Sequence, residues 1–242
     1  MKRLLTLLVA VASLIGPLNA SAYTLASTSP GKWGSPVMGT GATVTWSLMP
    51  TGTSCSQEFA GCTITSFNDV MPAGWQSAVN AAFAMWSSVA NLSFVQVTDD
   101  GAGFNTATTS GDIRLGLHVF DGAFGVLAHG YYPPVNGGSA AGDIHFDIAE
   151  NWKIGFGGAG FDIVQVLAHE LGHALGLDHS SVSGSLMNPF YTEAFYGPQA
   201  DDIAGMQHIY GAPVSEVPEP GVLALMAVGL LGLMLSRNRA RG

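Results

Sequence analysis

The spacing of apolar and polar residues divides the middle of the chain into strands and helices. Residues 112–120 alternate between apolar side chains and polar or small ones, which predicts a strand with one buried face. Shorter runs rich in β-branched and aromatic residues predict further strands at 43–48, 92–97 and 143–148. Apolar residues recur at three- and four-residue spacing across residues 72–90, which predicts an amphipathic helix.

Two further helices are predicted near the end of this region. One covers residues 161–175 with Asp162 as its N-cap, and the other covers residues 199–210 with two aspartates in its first turn, Asp201 and Asp202. Segments rich in Gly, Ser, Thr or Pro predict irregular structure at 23–41, 121–142 and 153–160. The order of these elements predicts an α+β fold, in which a mixed twisted sheet carries about three helices on one side.

The N-terminal segment, residues 1–22, has the pattern of a secretory signal peptide. Lys2 and Arg3 precede an apolar run at 4–15, and Ala-Ser-Ala at 20–22 supplies a small-residue cleavage site. A buried strand or a membrane anchor is the alternative interpretation. The short run and the small residues favour the signal, and therefore export.

The C-terminal end of the chain shows the reverse arrangement. Val-Pro-Glu-Pro at 217–220 precedes an apolar run at 221–235 and then three arginines. Fifteen apolar residues are few beside the roughly 20 that span a bilayer, and the arginines suit a cytoplasmic end. This tail resembles the PEP-CTERM sorting signal of Gram-negative bacteria. The resemblance implies processing by an exosortase-type membrane enzyme, transient membrane association through the tail, and delivery to the cell surface or extracellular matrix. A plain C-terminal anchor, with a transmembrane helix, is the alternative.

Between these ends we expect an irregular lead-in at 23–41, one domain at 42–212 and a short linker at 213–220. Residues 23–220 contain three basic side chains and all 17 acidic side chains of the protein, a net charge of −14. This balance excludes a basic nucleic-acid-binding surface. It also suits an exported protein that binds calcium, although charge alone establishes neither property.

The sequence HELGHALGLDHS at 169–180 carries the clearest chemical signal. His169 and His173 are four residues apart, so both leave one face of a helix and can hold the same zinc ion. Glu170 can lie beside that ion without binding it, where a general base for a zinc-activated water is needed. Gly176 can end the helix in a left-handed conformation, after which His179 can return as a third ligand. Three protein ligands leave one zinc position open, as in a catalytic site.

This pattern, together with Ser180 and Ser-Leu-Met-Asn-Pro at 185–189, resembles the matrixin family of metzincin zinc peptidases. The resemblance covers about residues 40–212. It implies that Met187 is the Met-turn residue, an apolar floor beneath the zinc, although an ordinary core methionine is the alternative. It also implies that residues 188–198 line the substrate pocket and that a peptide adds to an edge strand of the sheet.

The same resemblance implies a calcium site in the loops. Phe-Asp-Gly at 120–122 and the acidic residues in and just after the strand at 143–148 match the family's calcium-binding region. By motif position, Asp121, Asp147 and Glu150 supply carboxylates for calcium. The alternative is that these are solvated acids at the surface.

The resemblance also implies a second zinc site, but only part of the family's ligand set is present. His129 and His145 match two of the ligands that matrixins use. The family's upstream His-x-Asp pair falls on Arg114 and Gly116, which cannot replace it. His118 lies nearby in a different register and is a substitute ligand. Two histidines alone rarely hold a tight structural zinc.

Cys55 and Cys62, seven residues apart, are predicted to form a disulfide in an exported protein. An inhibitory cysteine on the zinc is the alternative, but the surrounding Thr-Ser-Cys-Ser-Gln does not resemble the family's switch motif. The lead-in at 23–41 is also shorter than a matrixin propeptide, so we expect no latency device.

The sequence therefore predicts an exported zinc endopeptidase that hydrolyses proteins or peptides, with Glu170 as general base. A non-catalytic matrix or adhesion protein built on a zinc-peptidase scaffold is the first alternative, and the sorting tail fits either. A zinc hydrolase acting on a non-peptide amide is the second. Glu170 favours an enzyme, because a scaffold does not need a base at this position.

Overall fold

Four of the five strands of the central sheet run parallel, and the fifth is an antiparallel edge strand. The computed structural model describes residues 22–134 and 140–214. The strands of this sheet are β2 (Ala42–Leu48), β3 (Leu92–Gln96), β4 (Ile113–His118), β5 (Ala128–Gly130) and β6 (Ile144–Asp147). Their order across the sheet is β3-β2-β4-β6-β5. The antiparallel pairing of β5 with β6 makes the sheet mixed, which confirms the predicted α+β fold.

The predicted helices at 72–90, 161–175 and 199–210 are confirmed with slightly shorter bounds. They correspond to α2 (Trp75–Val89), α3 (Ile163–Ala174) and α4 (Ala200–Tyr210), and they share one hydrophobic core with the sheet. A further helix, α1 (Phe67–Val70), was not predicted. Four residues make about one turn, which is too short to show a helical repeat of apolar positions.

Two small strand pairs fix the loops at the ends of α3. β1 (Thr24–Leu25) pairs antiparallel with β9 (Leu177–Asp178), and β7 (Trp152–Lys153) pairs parallel with β8 (Phe161–Asp162). The lead-in is therefore not irregular throughout. Trp33 also donates from Nε1 to the carbonyl of Ala174, 2.8 Å away, and so ties the lead-in to the end of α3.

The predicted strand at 112–120 is present as β4, but β4 is buried on both faces, so the prediction that it is only half-buried was wrong. Ile113, Leu115 and Leu117 face the main core, while Arg114 and His118 are buried on the opposite face. The chain between β2 and α1 covers that face with Met49, Cys55 and Ile64, which form a second core cluster together with Phe104 and Ala140 from other loops. An alternating pattern indicates which residues share a face but not whether a distant loop covers the polar one.

The predicted signal peptide, apart from residue 22, and the predicted sorting segment at 221–242 lie outside the described residues. Across residues 22–134 and 140–214, no helix is long and apolar enough to cross a membrane.

Candidate active site

Helix α3 places two of the predicted ligands one turn apart. The Asp162 carboxylate accepts from the Gln165 N–H at 2.8 Å, which caps the first turn. The rings of His169 and His173 follow with centroids 4.9 Å apart. After α3, Gly176 has a φ of +110°, which favours glycine, and the chain turns back there. This turn brings His179 to the other two imidazoles.

The three imidazoles direct ring nitrogens at one point. His179 Nε2 lies 3.3 Å from His169 Nε2 and 3.2 Å from His173 Nε2. Zinc–nitrogen bonds of about 2.0–2.1 Å in a tetrahedron place neighbouring donor atoms about 3.3–3.4 Å apart. The spacing of these three nitrogens therefore fits a zinc ion.

Backbone carbonyls determine which nitrogen of two histidines is protonated. His169 Nδ1 lies 2.7 Å from the Leu186 carbonyl, and His173 Nδ1 lies 2.9 Å from the Leu177 carbonyl. A carbonyl only accepts, so each Nδ1 donates and each Nε2 keeps its lone pair. Burial also lowers the pKa of His169 to about 4 and that of His173 to about 3. Both are therefore neutral at physiological pH, the form that binds a metal.

Glu170 is buried beside this cluster. Burial raises the pKa of its carboxyl to about 8, and a hydrogen bond from the Gly130 backbone partly offsets that effect. Gly130 belongs to the edge strand β5, and a Cβ at this position would lie 2.7 Å from the Glu170 carbonyl oxygen. The absence of a side chain therefore lets β5 approach α3 directly over the predicted base.

Met187 packs beneath α3. A Cβ on Gly172 would lie 2.3 Å from Met187 Sδ, so the thioether fills the space that this glycine leaves. The turn is held by Asp202 of α4, whose carboxylate accepts from the Leu186 N–H at 2.7 Å and the Met187 N–H at 3.0 Å. The sequence placed Asp202 in a first turn, but it did not predict that this carboxylate anchors the turn at residue 187.

An open cleft of about 650 Å³ runs past the three histidines. Strand β5 forms one side and the segment after Met187 forms the other. Beyond the histidines and Glu170, its lining includes Phe124, Val126, Leu127, Ala128, Gly130, Gln165, Val166, Asn188, Pro189, Phe190 and Tyr191. Phe124 and Phe190 are respectively 85% and 79% exposed, so the cleft has an aromatic rim.

The three predicted calcium ligands do not converge within the described residues. Asp121 accepts from the Val126 N–H at 3.1 Å, and Glu150 accepts from the Phe124 N–H. Asp147 accepts from the Ala149 N–H through Oδ1, while its Oδ2 is buried without a hydrogen-bond partner. Asp143, which is not among the predicted ligands, is buried with both carboxylate oxygens unpartnered.

A second cluster of metal-binding side chains comprises Glu58, His118, His129 and His145. The three histidines are candidates from the sequence, whereas Glu58, which lies between the two cysteines, is not. Cys55 and Cys62 form a disulfide with Cα atoms 4.9 Å apart, and we call residues 55–62 the disulfide loop. Glu58 contacts each of the histidines, at 3.3 Å for His118 Nε2, 2.6 Å for His129 Nε2 and 2.8 Å for His145 Nδ1.

Arg114 and Gly116, at the positions of the family's upstream His-x-Asp pair, have packing and ion-pairing roles in this chain. Arg114 is fully buried and forms a bidentate ion pair with Asp99, at 2.8 and 2.9 Å. Gly116 has no room for a side chain, because a Cβ there would lie 2.8 Å from Ile64 Cγ2. Neither position contributes a ligand to the second cluster.

Comparison with known proteins agrees with this geometry. The sequence profile of the family described as Matrixin matches residues 60–211. A second profile, the PEP-CTERM protein-sorting motif, matches residues 216–239, which lie outside the described part of the chain.

Individual relatives each match more than half of the chain. Karilysin from Tannerella forsythia is 43% identical over 144 residues, which cover 58% of this chain and 29% of karilysin. Stromelysin-3 from Xenopus laevis is 43% identical over 143 residues, which cover 57% of this chain and 28% of that protein. Human matrix metalloproteinase-20 is 41% identical over 138 residues, 55% of this chain and 27% of the relative. The match therefore spans less than a third of each of these relatives.

Proposed function

Because the chain belongs to the matrixin family, we propose that it is an exported zinc-dependent endopeptidase. In this proposal His169, His173 and His179 hold the zinc ion, and Glu170 is the general base. The convergence of three imidazole nitrogens at 3.2–3.3 Å beside a buried carboxylate supports the proposal most strongly.

The chemistry divides between the metal and the chain. When bound, zinc supplies a Lewis acid that polarises the scissile carbonyl and lowers the pKa of a water toward about 7. Glu170 accepts the proton of the attacking water and then delivers it to the leaving amine. A cation held by the adjacent histidines favours the ionised carboxylate and so opposes the effect of burial on the pKa of Glu170. Met187 supports the helix turn that carries His173.

Strand β5 is the proposed docking strand for the substrate. It is the edge strand of the sheet and lines the cleft, so a peptide can extend the sheet along it through backbone hydrogen bonds. The segment at 188–198 would form the opposite wall. The exposed rings of Phe124 and Phe190 favour substrates with large apolar side chains near the cleaved bond.

Calcium binding in the loops is part of the proposal. Asp147 supports it, because this carboxylate has a buried oxygen without a partner and calcium prefers several oxygen ligands. Asp121 and Glu150 already accept from backbone N–H groups, so we expect any contribution from them to require loop rearrangement. Removing calcium with a selective chelator should lower the melting temperature of the wild-type protein more than that of Asp147→Asn. Equal shifts would argue against a calcium site at this residue.

We further propose export and exosortase-type processing, with delivery to the cell surface or extracellular matrix of a Gram-negative bacterium. The PEP-CTERM profile at 216–239 supports export and processing. We also expect the tail to associate transiently with the membrane. Fractionation of cells expressing the chain with and without residues 216–242 tests it. An unchanged distribution and an unprocessed tail would contradict the proposal.

The decisive experiment for the activity compares the wild-type protein with Glu170→Gln on a peptide library, with zinc content measured on the same samples. General acid–base catalysis contributes about 10²–10⁴-fold, so we expect kcat/KM to fall by about that factor while bound zinc is unchanged. Asp69→Asn, a carboxylate-to-amide change on the exposed side of α1, serves as the matched control.

Near-normal turnover by Glu170→Gln would refute the proposed mechanism. A folded wild-type protein that holds zinc but cleaves no peptide would instead support the non-catalytic matrix or adhesion scaffold. Cleavage of non-peptide amides alone would support the second alternative.

A further inference from the structure

We propose that the second cluster is a closed zinc site, in which Glu58 from the disulfide loop is the fourth ligand beside His118, His129 and His145. The carboxylate comes from a different part of the chain than the matrixin pattern implies, because Arg114 and Gly116 replace the upstream His-x-Asp pair. A site of three imidazoles and one carboxylate has four protein ligands, which is typical of structural zinc rather than catalytic zinc.

Two of the distances between donor atoms fit a tetrahedral ion, while the contacts of Glu58 with His129 and His145, at 2.6 and 2.8 Å, are shorter and must lengthen when an ion binds. His129 Nε2 and His145 Nδ1 are 3.4 Å apart, and His118 Nε2 lies 3.3 Å from Glu58 Oε2. These values agree with the separation of about 3.3–3.4 Å between ligands of one zinc ion. They also match the nitrogen separations of 3.2–3.3 Å among His169, His173 and His179.

Unpartnered atoms in the cluster indicate that a cation belongs between them. His118 Nδ1 lies 3.0 Å from the Val119 carbonyl and must donate to it, so the lone pair of His118 is on Nε2. That Nε2 atom is buried without a hydrogen-bond partner, and it faces Glu58 Oε2, whose 2.8 Å contact with His145 Nδ1 lacks the geometry of a hydrogen bond. Two buried acceptors directed at each other are unfavourable unless a positive ion separates them.

The disulfide loop holds Glu58 in position. The Glu58 N–H donates to the Cys55 carbonyl at 2.9 Å, and the Cys62 N–H donates to the Phe59 carbonyl at 2.9 Å. The Phe59 ring lies over His118, with ring centroids 5.3 Å apart. The Glu58 side chain is only 4% exposed as a result. The disulfide therefore limits the loop to conformations that direct this carboxylate at the histidines.

The proposed ion would connect three neighbouring strands to the loop. His118 ends β4, and His145 on β6 is paired directly with His129 on β5. Strand β5 has only three residues and carries both His129 and Gly130, which approaches Glu170. We therefore expect the second zinc to fix the edge strand on which the peptide of the proposed function docks. Loss of the second zinc should raise KM for the peptide more than it lowers kcat.

Zinc content, measured by mass spectrometry on folded protein, tests the site independently of any activity. We expect two zinc ions in the wild-type protein and one in the double variant His169→Ala/His173→Ala, since the second cluster remains intact. In Glu58→Gln we expect zinc release to a chelator from one of the two sites to accelerate by at least about 100-fold, because losing even outer partners of a ligand costs 10–100-fold in affinity.

Matched variants separate the ligand from the loop. Gln57→Ala, an exposed neighbour of Glu58, should release zinc at the wild-type rate. Glu58→Asp, which keeps a carboxylate on a shorter chain, should release it at an intermediate rate. Cys55→Ser/Cys62→Ser should accelerate release while the circular dichroism spectrum stays native.

One zinc in the wild-type protein, with none in the His169→Ala/His173→Ala variant, would overturn the second site and leave the peptidase proposal intact. Two zinc ions without peptide cleavage would support the second site and count against the peptidase. Where Glu58→Gln does not fold, cobalt substitution of the His169→Ala/His173→Ala variant replaces it. Visible absorption of four-coordinate cobalt supports the site, and a six-coordinate spectrum overturns it.

Discussion

Replacing Gly172 with alanine should destabilise the protein, although alanine is normally the better helix residue. The added Cβ would lie 2.3 Å from Met187 Sδ, 2.9 Å from its Cε and 3.3 Å from Trp86 Cζ2. Met187 is 2% exposed and Trp86 is fully buried, so neither side chain can move into solvent. The methyl group must displace the methionine beneath α3.

Two opposing free-energy terms determine the size of this effect. Exchanging glycine for alanine inside a helix favours folding by about 0.8–1 kcal/mol. Overpacking a well-filled core costs about 1–3 kcal/mol. We therefore expect the free energy of unfolding to fall by up to about 2 kcal/mol, the difference between these terms.

A double-mutant cycle isolates the contact. Met187→Ala alone should cost about 2–5 kcal/mol, because it removes a buried side chain and leaves a cavity. In Gly172→Ala/Met187→Ala the new methyl group occupies part of that cavity. The double variant should therefore lose less than the sum of the single losses, with a coupling of about 0.5–3 kcal/mol.

The assay is denaturant unfolding followed by circular dichroism, with every variant saturated with zinc so that metal binding contributes equally. Ala84→Gly, at an exposed position of α2, measures the propensity difference in this protein. A stabilised Gly172→Ala variant, or additive losses in the double variant, would refute the reasoning that Met187 packs against this glycine.

Three further perturbations test other parts of the structure. Asp99→Asn leaves the fully buried Arg114 without its ionic partner and should lower the free energy of unfolding by about 3–5 kcal/mol in denaturant titrations. Burial raises the pKa of Asp99, but hydrogen bonds and the charge of Arg114 outweigh burial and hold this pKa below its ordinary value of 3.8. As the pH decreases below 3.8, the wild-type protein should therefore lose stability more steeply than Asp99→Asn. Gly130→Ala should displace β5 from Glu170 and lower kcat/KM by about 10²-fold at unchanged zinc content. Trp33→Phe removes the hydrogen bond to the end of α3 and should cost about 0.5–1.5 kcal/mol, and an unchanged melting curve would contradict this.

The three-histidine cluster was predictable because its geometry is local. Helical spacing places His169 and His173 on one face, and a glycine after the helix allows the turn that returns His179. The strands at 43–48, 92–97, 112–120 and 143–148 were predictable for a similar reason, since each run shows its own apolar pattern.

Strand β5 and the second buried face of β4 could not be predicted because other segments create them. Ala-His-Gly at 128–130 has no apolar alternation, and it forms a strand only through its pairing with β6. The polar face of β4 is buried by the chain between β2 and α1 and by the Arg114–Asp99 ion pair. Asp202 likewise anchors the turn at Met187 from a different helix.

Glu58 shows what kind of signal was missing from the sequence. It lies far before His118 along the chain, in the short loop Cys-Ser-Gln-Glu-Phe-Ala-Gly-Cys, where a carboxylate has no distinguishing pattern. The departure from the family motif at Arg114 and Gly116 indicated only that two ligands were absent. The disulfide was predicted separately, and in the chain-entropy view a loop of this length contributes about 2.5 kcal/mol wherever it lies. The position of the loop beside β4 gives the disulfide a second consequence, because closing the loop also brings the Glu58 carboxylate to the buried imidazoles of His118 and His145 and the half-buried imidazole of His129. The sequence therefore could not connect the two absent ligands with the predicted disulfide, because only the folded chain brings the disulfide loop to the histidines.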